Sequence, residues 1–219
     1  GRLQQVLRCL ENYETDILVG TQMVTKGHDF PNVTLVGVIS ADLSLNNPDF
    51  RAGEITFQLL SQVAGRTGRG NVPGRVIIQT FNPSHYAIIA ARDHDYKRFF
   101  SQETNLRQQL DYPPFSSIAN LRLLGNSKAK TGKIARQMGE KIHNILKKHS
   151  SGKKDIKVLG PVEAPVAKLK GKFRQQILIK SRRPGYLNQL LKEVGKGSAQ
   201  ILSSSGVRLI IDVDPYQMM

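Results

Sequence analysis

The chain has 219 residues, 39% of them hydrophobic, with 32 lysines and arginines against 17 aspartates and glutamates, a formal net charge of +15. That apolar fraction builds a core, which excludes a disordered tail, and no apolar run is long enough to cross a bilayer as a helix. A single cysteine, Cys9, excludes an internal disulfide and a cysteine-cluster zinc site, and it suits a reducing compartment.

Leu3, Val6, Leu7 and Leu10 share one helical face, so residues 3–13 read as a helix. Residues 16–20 read as a short buried strand and 21–31 as a polar loop. The continuous apolar run over 33–39 reads as a parallel strand buried on both faces. A loop over 42–49, a helix over 51–64, a strand over 74–80 and helices over 84–93 and 95–110 follow. Strands alternating with helices indicate an α/β layer with a parallel sheet. Tyr112, Pro113, Pro114 and Phe115 interrupt this pattern, because neither proline continues a helix, and the domain boundary is placed at about residue 111. Beyond it the order changes. A strand over 116–124 precedes a helix over 128–148 with Ile134, Met138, Ile142 and Ile145 spaced at three or four. Strands over 156–163 and 172–180, a helix over 184–194 opening on Pro184, and a strand over 207–213 complete the chain. The order β-α-β-β-α-β is the split βαβ, or ferredoxin-like, arrangement.

The charge follows the same division. Residues 1–110 hold 11 basic and 10 acidic residues, net +1, and residues 111–219 hold 21 and 7, net +14. Halves this different in charge point to two domains with different partners, the second built to meet a polyanion. Its basic clusters are Lys128, Lys130 and Lys133; Lys147 and Lys148; Lys153, Lys154 and Lys157; and Lys168, Lys170, Lys172 and Arg174. The last cluster joins two strands, with Gly171 suited to a turn and Phe173 a candidate to stack on a base. Arg182 and Arg183 stand just before a helix, where basic side chains and free N–H groups make an anion site. The five histidines show no ligand spacing and read as structural or solvent-facing.

Two strings carry sharper chemistry. Gln62, Gly65, Arg66, Gly68 and Arg69 spell Q-x-x-G-R-x-G-R, with two arginines three apart on one helical face. This resembles motif VI of superfamily 2 helicases. Upstream, the segment from Gly20 through Thr21, Gly27 and Asp29 to Pro31 resembles motif V of the same superfamily, lying between two strands as that motif does. The longer strings TQMVTKGHDFPNVTLVGVISAD, PDFRAGEITFQLLSQVAGRTGRG, QTFNPSHYAIIAARDHDY, YPPF and IDVDP are similar to the bacterial replication-restart, or primosomal, DNA helicase family, and the likeness covers essentially the whole chain.

The resemblance implies an α/β fold: a RecA-like second helicase lobe over 1–111, a parallel sheet with helices, followed by a basic α+β ferredoxin-like (βαββαβ) domain over 112–219. It implies an ATP-dependent 3′→5′ DNA helicase that recognises stalled or branched forks and restarts replication by primosome assembly. Within it, Arg66 and Arg69 would reach the triphosphate, where a planar and permanently charged fork suits phosphate oxygens. Gln62, Gly27 and Asp29 would face the nucleotide and Thr21 the DNA backbone, with Lys168, Lys170, Lys172 and Arg174 on DNA. Arg182 and Arg183 would take a phosphate or the acidic tail of single-stranded DNA-binding protein. Forked and single-stranded DNA, that protein and other primosome proteins are the implied partners, with no membrane, in the bacterial cytoplasm at the nucleoid. ATP and Mg2+ are cofactors of the full-length enzyme, and zinc is bound in the full-length enzyme only, not in this chain. The chain holds no G-x-x-x-x-G-K-[ST] loop and no D-E-x-H string, so it reads as a fragment with half of an ATPase site. A non-enzymatic nucleic-acid-binding module and another superfamily 2 repair translocase are the alternatives.

Overall fold

The computed structural model describes residues 2–21, 33–65, 73–148, 155–203 and 205–218. They fall into two compact units. The first comprises residues 1–47 and 51–103, and the second residues 48–50 and 104–219. The division therefore falls inside a helix, ahead of the Tyr112 to Phe115 break that the sequence suggests.

The first unit opens with α1 (Arg2–Glu11), of which Leu7 is buried while Val6 is exposed. Strands β1 (Leu35–Val38) and β2 (Arg75–Ile78) pair in parallel, Leu35 opposite Arg75 and Val38 opposite Ile78. Between them lie α2 (Asp42–Leu45) and α3 (Ala52–Ala64), and after them α4 (Tyr86–Arg92) and α5 (Tyr96–Gln109). Three expectations are corrected here. Residues 16–20 form no strand, and Ile17 and Val19 are 78% and 83% exposed. Strand β1 is four residues long and alternates between exposed and partly buried, rather than buried on both faces. A parallel strand is covered on both faces only by layers packed above and below it, and the described residues put β1 and β2 in a sheet of two. The segment read as a loop over 42–49 starts with the helical turn α2, closed by the Asn46 N–H donating to the Asp42 carbonyl at 2.8 Å.

The core of this unit is built from helix faces. On α3, Ala52, Gly53, Thr56, Phe57 and Leu60 are buried, one stripe at helical spacing. Phe57 stacks on Phe99 of α5 with ring centroids 4.2 Å apart. The Tyr86 hydroxyl donates to Glu103 Oε2 at 2.5 Å, linking α4 to α5. His85 caps α4, its Nδ1 accepting from the Ala87 N–H at 3.2 Å. Burial lowers the His85 pKa, against the field of Glu103, which favours the neutral ring that such a cap requires.

The second unit holds a four-stranded sheet in the order β4-β5-β3-β6. Its strands are β3 (Ser117–Gly125), β4 (Ile156–Leu169), β5 (Lys172–Ser181) and β6 (Arg208–Val213), and every neighbouring pair is antiparallel. Helices α6 (Lys128–Lys148) and α7 (Pro184–Leu202) supply Ile134, Met138, Ile142, Leu187 and Val194 to a core shared with Leu121, Leu123, Ile177 and Ile179. Alternation along β3 and β5 puts these strand residues on one face, and the three-four spacing of α6 puts its apolar stripe against them.

Two elements run further than their sequence suggests. Strand β4, with register shifts between Leu159 and Val162 and between Glu163 and Lys168, continues past residue 163 and pairs again at Lys168 opposite Phe173. At the first shift Gly160 has φ +94°, and a Cβ there would meet the Gln176 carbonyl oxygen at 2.8 Å. Helix α7 continues through Gly195 and Gly197 to Leu202, anchored by Val194, buried Ser198 and the packed Ile201. Tertiary burial outweighs the roughly 1 kcal/mol that each glycine costs a helix.

Gly53 is where α3 meets the Tyr86–Glu103 pair, and a Cβ at this position would overlap the Tyr86 hydroxyl. Gly53→Ala is expected to destabilise the first unit by about 1–3 kcal/mol in chemical denaturation. The same change made with Tyr86→Phe should cost less, and an equal cost in both backgrounds would show that the hydroxyl is not the obstacle.

Candidate functional site

In the first unit, the string that resembles motif VI begins on α3. Gln62 sits in its last turn, partly buried, and the Gly65 N–H closes the helix on the Ser61 carbonyl at 3.1 Å. The buried stripe from Ala52 to Leu60 fixes the helix and with it Gln62. Arg66 and Arg69, and Gly27 and Asp29, lie outside the described residues. Thr21 is described, and it is exposed and outside any helix or strand.

A feature that the sequence reading passed over lies just beyond the two parallel strands. Ser40, two residues past β1, takes φ +57°, and Asp42 is 8% exposed. The Asp42 carboxylate accepts from the Thr80 hydroxyl and from the Phe81 N–H, both at 3.0 Å. These bonds, the Phe81 N–H above all, hold the Asp42 pKa below the ordinary carboxylate range. The loop so tied leaves Phe81 93% exposed. An aspartate three residues past an apolar strand was the available signal, and reading residues 42–49 as a loop hid it.

In the second unit the candidate residues collect at the two ends of the sheet. Lys170 and Gly171 form a two-residue turn between β4 and β5, with φ +48° and +78°. Positive φ at both positions is the hairpin geometry that matches strand twist. Lys168, Lys170 and Lys172 are exposed. The Lys168 ammonium lies 4.9 Å from the centroid of the Phe173 ring, and Lys172 Nζ donates to Asn126 Oδ1 at 2.6 Å. Arg174, grouped with these lysines on charge alone, is buried at 6% exposure. Between Glu163 opposite Gln175 and Lys168 opposite Phe173, the four β4 residues 164–167 stand against Arg174 alone, a bulge that a charge count does not reveal.

At the other end, Asp111 takes φ +52° after α5 and is 4% exposed. Its carboxylate accepts from Lys157 Nζ and, at 2.8 Å, from Arg182 Nε. The Lys157 bond first, then Arg182, holds its pKa below the ordinary range against the opposing effect of burial. Lys180 is buried, donates to the Leu110 carbonyl at 2.9 Å and lies 3.4 Å from the centroid of the Tyr112 ring. Burial lowers its pKa, with Asp111 opposing. Arg183, the N-cap position of α7, pairs with Asp155 at 3.0 Å and lies over the Tyr186 ring. A shallow cleft opens among Asp111, Asp155, Lys157, Lys180 and Arg182. Arg182 lines this cleft, and the guanidiniums of Arg182 and Arg183 already have carboxylate partners in Asp111 and Asp155.

A carboxylate whose pKa is lowered by folding contributes stability above its unfolded value, about 4, and loses it as the pH falls through the folded value. Asp111→Asn is therefore expected to lower the thermal midpoint by several degrees at neutral pH, with the gap to the parent closing as the pH falls below the ordinary carboxylate range. A gap that persisted undiminished in acid would assign the loss to something other than the charge.

Residues 2–71 match the helicase conserved C-terminal domain, and residues 108–216 match the primosomal protein N C-terminal domain. Over 219 residues the chain is 43% identical to the replication restart protein PriA of Bacillus subtilis (strain 168), covering 100% of this chain and 26% of that protein. It is 42% identical over 214 residues to that of Rickettsia conorii, covering 98% of this chain and 31% of the relative. For the protein of Synechocystis sp. (strain PCC 6803) the identity is 40% over 218 residues, again covering 100% of this chain and 25% of the relative. The chain spans about a quarter to a third of the curated relatives it matches. The motif strings, the two units and these matches coincide along the chain, and it belongs to the PriA replication-restart family.

Proposed function

We propose that this chain is part of an ATP-dependent 3′→5′ DNA helicase that recognises stalled or branched forks and restarts replication by assembling the primosome. The observation that carries the reading is the coincidence of two family matches, in order, with a near-neutral first part and a second part of net charge +14. The parallel β1–β2 pair flanked by helices supports a RecA-like second lobe in the first unit. The element order βαββαβ and the strand order β4-β5-β3-β6 support a ferredoxin-like second unit.

In this reading Arg66 and Arg69 supply the arginine side of the ATPase site, and Gln62, Gly27 and Asp29 face the nucleotide. Of these, Gln62 is described, and its place in the final turn of α3 brings it within three residues of Gly65, where the motif turns. ATP with Mg2+ supplies the phosphoryl chemistry when bound. The two arginines hold phosphate oxygens with a charge that no pH within the protein's range removes. Zinc belongs to a cysteine-bearing part of the longer protein. Thr21 and the exposed lysines of the β4–β5 turn meet DNA, and Arg174 is buried rather than on that surface. Arg182 and Arg183 take the acidic tail of single-stranded DNA-binding protein by exchanging Asp111 and Asp155 for it. The compartment is the bacterial cytoplasm, at the nucleoid.

The chain by itself is expected to show no DNA-stimulated ATP hydrolysis, because it holds no phosphate-loop string. In a protein carrying both lobes, Arg69→Ala should lower kcat by about 10³-fold or more while nucleotide affinity changes far less. Steady turnover by the chain alone, or full turnover by Arg69→Ala, would overturn the assignment.

A further inference from the structure

Three connections of the second unit meet at one end of its sheet. Gly125 of β3 stands opposite Phe173 of β5, and Leu124 stands opposite both Arg174 and Arg208. The β4–β5 turn, the β3–α6 turn and the entry to β6 are therefore neighbours. They bring together Lys128, Lys130, Lys168, Lys170, Lys172 and Arg208, all exposed. Two bonds confirm the juxtaposition: Lys172 to Asn126, and Lys128 Nζ to Glu163 Oε1 at 2.6 Å. Among the described residues, Lys128 is the one of these six cations with a carboxylate within ion-pair distance.

The opposite end is basic by count but not in balance. There Lys157 and Arg182 share Asp111, and Arg183 has Asp155. Lys180 is buried against a carbonyl and a ring. A multivalent anion meeting that end must first displace carboxylates. At the turn end it meets cations that face water.

The apolar side chains separate a duplex from a single strand. Proteins that hold single strands present aromatic rings on which bases stack. Among the described residues of the turn end the exposed large apolar side chain is Leu169, which is aliphatic, and Phe173 is partly buried with the Lys168 ammonium over its ring. Among the described residues the surface offers charge at several points and no fully exposed ring for an unstacked base. We propose that the turn end of the second unit, through Lys128, Lys130, Lys168, Lys170, Lys172 and Arg208, holds the phosphodiester backbone of duplex DNA. The proposal rests on the reading of this unit as DNA-binding and specifies the surface and the form of DNA.

The test uses the 219-residue chain, a short blunt duplex and one strand of it, titrated across a salt series. One variant, Lys130→Gln/Lys168→Gln/Lys170→Gln, removes three charges at the turn end. A second, Lys97→Gln/Lys147→Gln/Lys148→Gln, removes three exposed charges elsewhere. The expected result is a loss of about tenfold or more in duplex affinity for the first variant, a salt slope shallower by about 0.9 per lost contact, and little change for the second. Equal losses in both variants would reduce the surface to bulk charge, and a loss on the single strand alone would reassign it; either overturns the proposal. A parent chain that binds neither DNA would overturn the underlying reading itself, which separates that failure from the failure of the surface. The single change Lys170→Gln at the turn tip keeps the test decisive if the triple variant melts early.

Discussion

The second unit is organised around one buried carboxylate. Asp111 sits where α5 ends, in a left-handed backbone conformation that aspartate tolerates better than most side chains. Its carbonyl accepts from the Ser116 hydroxyl at 2.6 Å, which sets the start of β3, and its carboxylate gathers Lys157 of β4 and Arg182 after β5. Three segments distant in sequence are thus registered on one residue. A buried charge is tolerable only when it is paired and hydrogen-bonded, and this one is paired twice.

The scarcity of acids in this half gives that pairing a wider effect. Seven carboxylates accompany twenty-one basic side chains over residues 111–219. Asp111 and Asp155 are both at the Arg182–Arg183 end, and Asp212 pairs with Arg122 at 3.1 Å within the sheet. Among the described residues, Glu163 is the carboxylate paired at the turn end, with Lys128. The field of the unit is therefore uneven: neutralised where the fold needs cations for its own architecture, and concentrated where the turns meet. Net charge by itself speaks of solubility and attraction to polyanions, whereas placement decides which face a polyanion approaches.

The second unit was largely legible in the sequence because its signals are local. Ile134, Met138 and Ile142 mark α6 by spacing, the apolar Ile177, Leu178 and Ile179 of β5 mark a strand, and Pro184 marks the start of α7. What escaped was long-range. The bulge opposite Arg174 depends on how many β4 residues stand against it, and the continuation of α7 past Gly195 depends on the core that Val194 and Ile201 enter. In the first unit the apolar residues of 16–20 have the composition of a strand, but the described structure gives them no pairing partner. The Asp42 tie to Thr80 and Phe81 joins residues 38 and 39 positions apart, beyond the reach of any periodicity. The arginines of the Q-x-x-G-R-x-G-R string were legible as chemistry and lie outside the described residues.

Strand β4 is the outer member of its sheet, and it exposes Leu159, Val162, Val166 and Leu169. A long apolar strand with an unpaired rim is a template on which further strands add, the route by which sheets self-associate. Two register shifts break this rim, and Pro161 and Pro165 remove amide donors from it. The irregularity that carries the strand from the core to the basic turn also deprives an incoming strand of a continuous ladder, a safeguard for an apolar edge of this length.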